Sequence, residues 1–230
     1  MNNLAVTHRL QGRYMEAENI FKQCLYYREI TLGESHIDTL ATMNSLANVY
    51  SRQGKYRDAE VLYEQCLAKM KVVRGKSHPN TLDTLSNLAS AYIPQGKYME
   101  ADFLYEKCLA KQKAVLGNNH LSTLNTMNNL ALSYHRQGKH RDAEVLLKQC
   151  LDKMKAVVGE NHPDTLNTMY NLATTYNRQG KYRDAEVLFK QCLDKRKVVL
   201  GESHPRTLTT MNNLAATTSK IQAQNVVGSK

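Results

Sequence analysis

The chain has 230 residues, of which 42% are hydrophobic and only four are prolines, a balance that excludes a disordered polymer. It holds no run of about eighteen apolar residues, so no membrane-spanning helix is expected. Thirty-one Lys and Arg against twenty-one Asp and Glu leave a formal charge of +10, which favours acidic partners by long-range attraction.

The first residues, MNNLAVTHRLQGRY, lack the apolar core of a signal peptide, so a cytoplasmic chain is expected. Asn3, Leu4 and Ala5 align with Ser45, Leu46 and Ala47 at a step of 42 residues, so the chain opens partway into a repeated unit and leaves Leu4 bare. Residues 13–32 read as the second helix of that unit. Ala17, Ile20, Phe21, Cys24 and Leu25 recur at spacings of three and four, one stripe of an α-helix, and Gly33 stops it.

The pattern then settles. Asp38 to Gln53 predicts a helix with Leu40, Met43, Leu46, Ala47 and Tyr50 on its packed side, closed by Gly54. Lys55 to Val73 is its partner, with Ala59, Leu62, Tyr63, Cys66, Leu67 and Met70 inward. A turn as short as that at Gly54 makes the two helices antiparallel. Pro79 suits the first turn of the next helix, where its missing N–H costs nothing.

Gly54, Gly96, Gly138 and Gly180 share the 42-residue step, as do Cys24, Cys66, Cys108, Cys150 and Cys192 and the series His36, His78, His120, His162 and His204. A fixed period of this size predicts an all-α solenoid in which each unit buries its apolar face against its neighbours. One array over 1–220 is expected, with a partial first unit at 1–33, full units at 38–75, 80–117, 122–159 and 164–201, and a closing helix at 206–219. Residues 221–230 read as a loose tail. One unit carries Pro94 where its neighbours carry Arg52, Arg136 and Arg178, so the end of that helix should kink or fray.

The cysteines number five and recur on a buried face, which marks them as small hydrophobes and not a disulfide framework. Cys66 and His78 lie in different elements with no repeating carboxylate beside both, so no catalytic triad forms, and thiolates spaced one per repeat cannot share a zinc ion. The histidines fit better as residues that shape the linker or cap the following helix. The glycines stand singly and make no phosphate-binding loop. Neither catalysis, nor a metal, nor a cofactor is expected. The basic residues are spread through every repeat without interleaved aromatics, which argues against nucleic acid.

These residues resemble the tetratricopeptide repeat family. Its pattern of a large apolar residue, Leu, a small residue and Tyr, then Ala and an aromatic on the second helix, is matched by Met43, Leu46, Ala47, Tyr50, Ala59 and Tyr63. It recurs as Leu85, Leu88, Ala89, Tyr92, Ala101 and Tyr105, and in the later units with Leu147 and Phe189 in place of the tyrosine. Cys66 and its equivalents replace the family's alanine, and each unit is longer than the usual repeat of about 34 residues. The period, the NNLA segments and the G-x-x-H-P linkers are similar to the repeats of kinesin light chains. They are also similar to the repeat arrays of some nucleotide-binding innate-immunity proteins and nephrocystin-like proteins.

The resemblance implies a right-handed superhelix whose first helices line a concave, peptide-binding surface. The matching positions are Ala41, Asn44, Ser45, Asn48, Ser51 and Arg52, then Asp83, Ser86, Asn87, Ser90 and Ile93. The next units offer Asn125, Asn128, Asn129, Leu132, His135 and Arg136, then Asn167, Tyr170, Asn171, Thr174, Asn177 and Arg178. Asparagine amides can both give and accept hydrogen bonds with an extended backbone, and rim arginines suit carboxylates. The resemblance thus implies a non-catalytic scaffold for an acidic protein or peptide. A self-associating solenoid segment of a larger protein is the alternative.

Overall fold

The computed structural model describes residues 2–228, with side chains for residues 2–225. The chain divides into two compact units, Met1–Gly117 and Asn118–Lys230. The first holds α1 (Asn2–Leu10), α2 (Tyr14–Leu32), α3 (Ile37–Arg52), α4 (Tyr56–Val73), α5 (Pro79–Tyr92) and α6 (Tyr98–Val115). The second holds α7 (Leu121–Arg136), α8 (His140–Val158), α9 (Pro163–Arg178), α10 (Tyr182–Leu200) and α11 (Pro205–Gly228). Among the described residues there is no strand, and the all-α solenoid expected from the period is the architecture of each unit.

Each pair is closed by the same backbone device. Gly54 takes φ +81°, the N–H of Lys55 donates to the carbonyl of Tyr50 at 2.9 Å, and that of Gly54 to Ser51 at 3.2 Å. These two bonds satisfy carbonyls that the end of α3 would leave unpaired, and they reverse the chain into α4. A Cβ on Gly54 would meet nothing within 4 Å, so glycine is required by the backbone angle and not by space.

At the other end of the unit, histidine caps the next helix. Nδ1 of His36, His78, His120 and His162 accepts the N–H two residues on at 3.2 Å, and that of His204 does so at 3.1 Å. The imidazole therefore acts as the oxygen of a Ser or Asp cap does. Pro79 and Pro163 follow at the start of α5 and α9.

Within each pair the small residues meet. Ala47 and Ala59 are both fully buried, and Tyr63, Leu67, Leu82 and Leu88 fill the space around them. The second unit repeats this with Ala131, Leu147, Leu166 and Leu172. The buried cysteines pack as small hydrophobes, and four of them donate Sγ to a carbonyl of the preceding first helix: Cys66 to Leu40 and Cys192 to Leu166 at 3.3 Å, Cys108 to Leu82 and Cys150 to Leu124 at 3.2 Å.

Two places depart from regularity. α5 stops at Tyr92, and Ile93–Gln95 form a 3₁₀ turn around Pro94, whose ring forbids the next α-helical bond. α11 continues to Gly228, past Ser219 and into the stretch read as a loose tail. Lys220, Ile221, Gln222 and Ala223 contain no helix breaker, so nothing local stops the helix there. Ser229 and Lys230 lie outside the described residues.

Candidate peptide-binding faces

In each unit the first helices of successive pairs lie side by side: α3 with α5 in the first unit, α7 with α9 and α9 with α11 in the second. Their small residues allow this approach, and it sets asparagines of neighbouring helices opposite each other. In the first unit Asn87 Nδ2 donates to Asn44 Oδ1 at 3.4 Å, while Asn48 Nδ2 and Ser45 Oγ bond back to the carbonyls of Asn44 and Ala41. Asn44, Ser45, Asn48 and Asn87 are half-buried, Ser86 is buried, and Arg52 is exposed at the end of α3.

The same ladder is tighter in the second unit. Asn171 Nδ2 donates to Asn128 Oδ1 at 3.1 Å, and one step on, Asn213 Nδ2 donates to the Tyr170 hydroxyl at 2.6 Å. An amide carries two donor hydrogens and an acceptor oxygen, so one ladder bond uses part of it and orients the remainder. Asn125, Asn128, Asn129 and Asn171 are all half-buried on this side.

Other residues of the face are built more firmly into the stack. Asn167 Oδ1 accepts from Arg196 at 2.9 Å and from Arg206 at 3.4 Å. Asn177 donates to Thr217 Oγ1 at 2.7 Å and accepts from Lys220 at 3.1 Å. Tyr170 packs edge-on against Phe189 at 5.7 Å and lies under the Arg196 guanidinium at 5.0 Å. His135 shares a hydrogen bond with Thr175 at 3.1 Å. Burial, with His140 and the positive charges of Arg136 and Arg178, lowers its pKa to about 4, so it is neutral at pH 7. Arg136 and Arg178 themselves are exposed, leaving two cations at the same end of the second unit's face.

Three contributors were not read from the sequence as site residues. Asn213 extends the ladder onto α11, and its place 42 residues after Asn171 was the available signal. Arg196, buried where three other repeats carry Met70, Gln112 and Met154 and the first carries Arg28, braces Asn167 and Tyr170. The lysine after a turn glycine links neighbouring repeats within each unit: Lys181 Nζ lies 2.7 Å from Glu144 and 5.3 Å from the Tyr176 ring centroid, and Lys97 does the same with Glu60 and Tyr92. The half-buried tyrosines thus serve packing and cation–π contact.

The Cys66 and Cys150 thiols are poor nucleophiles. Burial pushes Cys66 and Cys150 up to about 11. Among the described residues no group of three or more His, Cys, Asp or Glu is placed to hold a metal ion, and no helix is long and apolar enough to cross a membrane.

A family profile described as tetratricopeptide repeat matches residues 1–71 and 80–156, and a second of the same description matches residues 165–206. Among solved structures, one crystal structure of a Podosopora anserina putative kinesin light chain with nearly identical TPR-like repeats is 29% identical. The match covers 85% of this chain and 92% of that chain with a TM-score of 0.68. A second crystal structure of those repeats is 28% identical over 86% and 94%, with a TM-score of 0.67. BtubC (BKLC) from P. vanneervenii, 22% identical over 88% and 80% with a TM-score of 0.69, shares the fold. No curated protein matches.

Proposed function

Since the chain belongs to the tetratricopeptide repeat family, with repeats that resemble those of a putative kinesin light chain, we propose that it is a non-catalytic scaffold for acidic peptides. The chain works in the cytoplasm, and the bound segment runs extended along the first-helix face of a unit. The observation that carries this reading is the Asn128–Asn171 ladder flanked by the exposed Arg136 and Arg178. Asparagine is a mediocre helix former, and an inert surface would be better served by Glu, Lys or Gln. Held half-buried by a neighbour, each amide has a set direction, which lowers the entropy cost of pairing with a peptide backbone. The arginines supply the charge selection, and the net charge of +10 raises the encounter rate with acidic segments. The dispersed basic residues speak for peptide over nucleic acid.

The test is a peptide-library screen against the purified chain, followed by titration of an enriched acidic peptide into wild type and Arg136→Ala/Arg178→Ala. Two exposed ion pairs at about 0.7 kcal/mol each, inside the usual range of ~0.2–1 kcal/mol, correspond to a loss of about tenfold, shrinking with salt. Unchanged affinity in the double variant would sink the assignment of the face.

A further inference from the structure

The first unit carries a groove of about 780 Å³ away from the asparagine face, running over α5 between α4 and α6. Its floor is apolar, made by Leu67, Leu85, Leu88 and Leu104, and its lip carries Met99 and Phe103, 72% and 61% exposed. Lys71, Lys76, Lys107 and Lys111 ring the end next to Thr81, whereas Glu64 and Glu100 stand with Tyr92 at the other. The groove is polarised along its length.

Comparison with the other repeats shows that this is a local invention. Lys76 stands where three equivalent linkers have Glu34, Glu160 and Glu202 and a fourth has Asn118, and Lys107 where the helices have Gln65, Gln149 and Gln191. Phe103 replaces Val61, Val145 and Val187. In two other repeats the linker glutamate pairs with a lysine of the following second helix, Glu34 with Lys69 and Glu160 with Lys195, each at 2.7 Å. Here that lysine, Lys111, meets a lysine residue instead and bonds only to the Lys76 carbonyl and Ser77 Oγ, at 3.2 and 3.3 Å. Burial, with Lys107, Lys76 and Lys111, holds Lys71 below the usual lysine range. The cluster is one of unneutralised positive charge. The buried Thr81 hydroxyl at this end has no partner, as is also so for Thr207 at the same repeat position, while Thr39 and Thr165 donate theirs to the Gly33 and Gly159 carbonyls at 2.9 and 2.8 Å.

We propose that this groove docks an amphipathic helix of a partner protein, its apolar side on Leu85, Leu88 and Phe103 and its acidic residues against Lys71, Lys76, Lys107 and Lys111. The stretch of α5 from Thr81 to Tyr92 spans roughly 16 Å, about three helical turns, which suits a short docked helix. Exposed Met and Phe at the lip are the adaptable and aromatic anchors that such contacts use. Charge complementarity sets the direction: the acidic end of the partner lies over Thr81, and its basic or neutral end lies by Glu64 and Glu100. This surface is independent of the asparagine face, so the chain can hold two partners at once.

The experiment is selection from a displayed library of sixteen-residue helices patterned with Leu or Phe on one face and Glu or Asp elsewhere, against the full chain. Enriched peptides are then titrated into variants that copy neighbouring repeats and therefore keep the fold: Lys76→Glu/Lys107→Gln and Phe103→Val. A loss of about tenfold or more in each is expected. The charge-matched control Lys190→Glu/Lys153→Gln and the variant Arg136→Ala/Arg178→Ala should stay within about twofold of wild type. Failure to enrich any helix, or equal affinity for wild type and the groove variants, overturns the proposal. So does binding of dodecanoate sensitive to Lys76→Glu/Lys107→Gln with no helix enriched, which would make the site one for a small amphiphile.

Discussion

Asn171 donates from its side-chain amide to Oδ1 of Asn128, 3.1 Å away on the neighbouring first helix of the second unit. Asn171→Ala removes that bond and leaves a half-buried amide oxygen short of a donor, so a loss of about 1 kcal/mol is expected. Urea denaturation, with an unchanged slope and a lower midpoint, checks it.

The histidine caps give a second expectation. His78→Ala removes the acceptor for the Asn80 N–H at the start of α5 and should cost about 1 kcal/mol, whereas His78→Ser restores an acceptor and should recover most of it. Thermal melts of the two variants beside wild type measure the difference.

Glu144 sets a pH dependence. Burial raises its pKa, but hydrogen bonds from Lys148, Lys181 and Gln179 outweigh burial and bring it from 4.5 to about 2. Because the folded value lies below the unfolded one, the stabilisation is fully present above about pH 4.5 and is lost as pH falls toward 2. Glu18 behaves alike with Lys22, Lys55 and Gln53. The melting temperature of wild type should therefore drop across this window, and Glu144→Gln, less stable at neutral pH, should drop less steeply. Equal slopes for the two proteins would contradict the ion-pair account.

The five free cysteines should be slow to react in the folded chain. With Cys66 and Cys150 held up to about 11, little thiolate exists at pH 8, and a thiol-exchange reagent should modify all five quickly only in denaturant. A fast phase in native buffer would show that a helix pair opens readily.

Much of the fold was legible along the chain. The stripe of Leu46, Ala47 and Tyr50 facing Ala59, Tyr63 and Cys66 follows from helical spacing alone, and the turn at Gly54 from the need for a positive φ. Histidine capping was also within reach, because His78 sits directly before Pro79. The asparagine face could be placed on the first helices by its period. Which amides are engaged could not, since Asn44 and Asn87 are on different helices and meet only when the repeats stack.

The sequence by itself therefore determined the period, the helix pairs and the buried positions, because these depend on residues three, four or forty-two apart along one chain. Only the tertiary structure decided what the polar residues do. Lys181 is tied to Glu144, Asn167 is held by Arg196, and Lys71, Lys76, Lys107 and Lys111 gather from two helices and a linker around one groove. The physical reason is that an apolar side chain needs only to leave water, whereas a charge or an amide takes its role from the particular group that packing brings within a few ångströms.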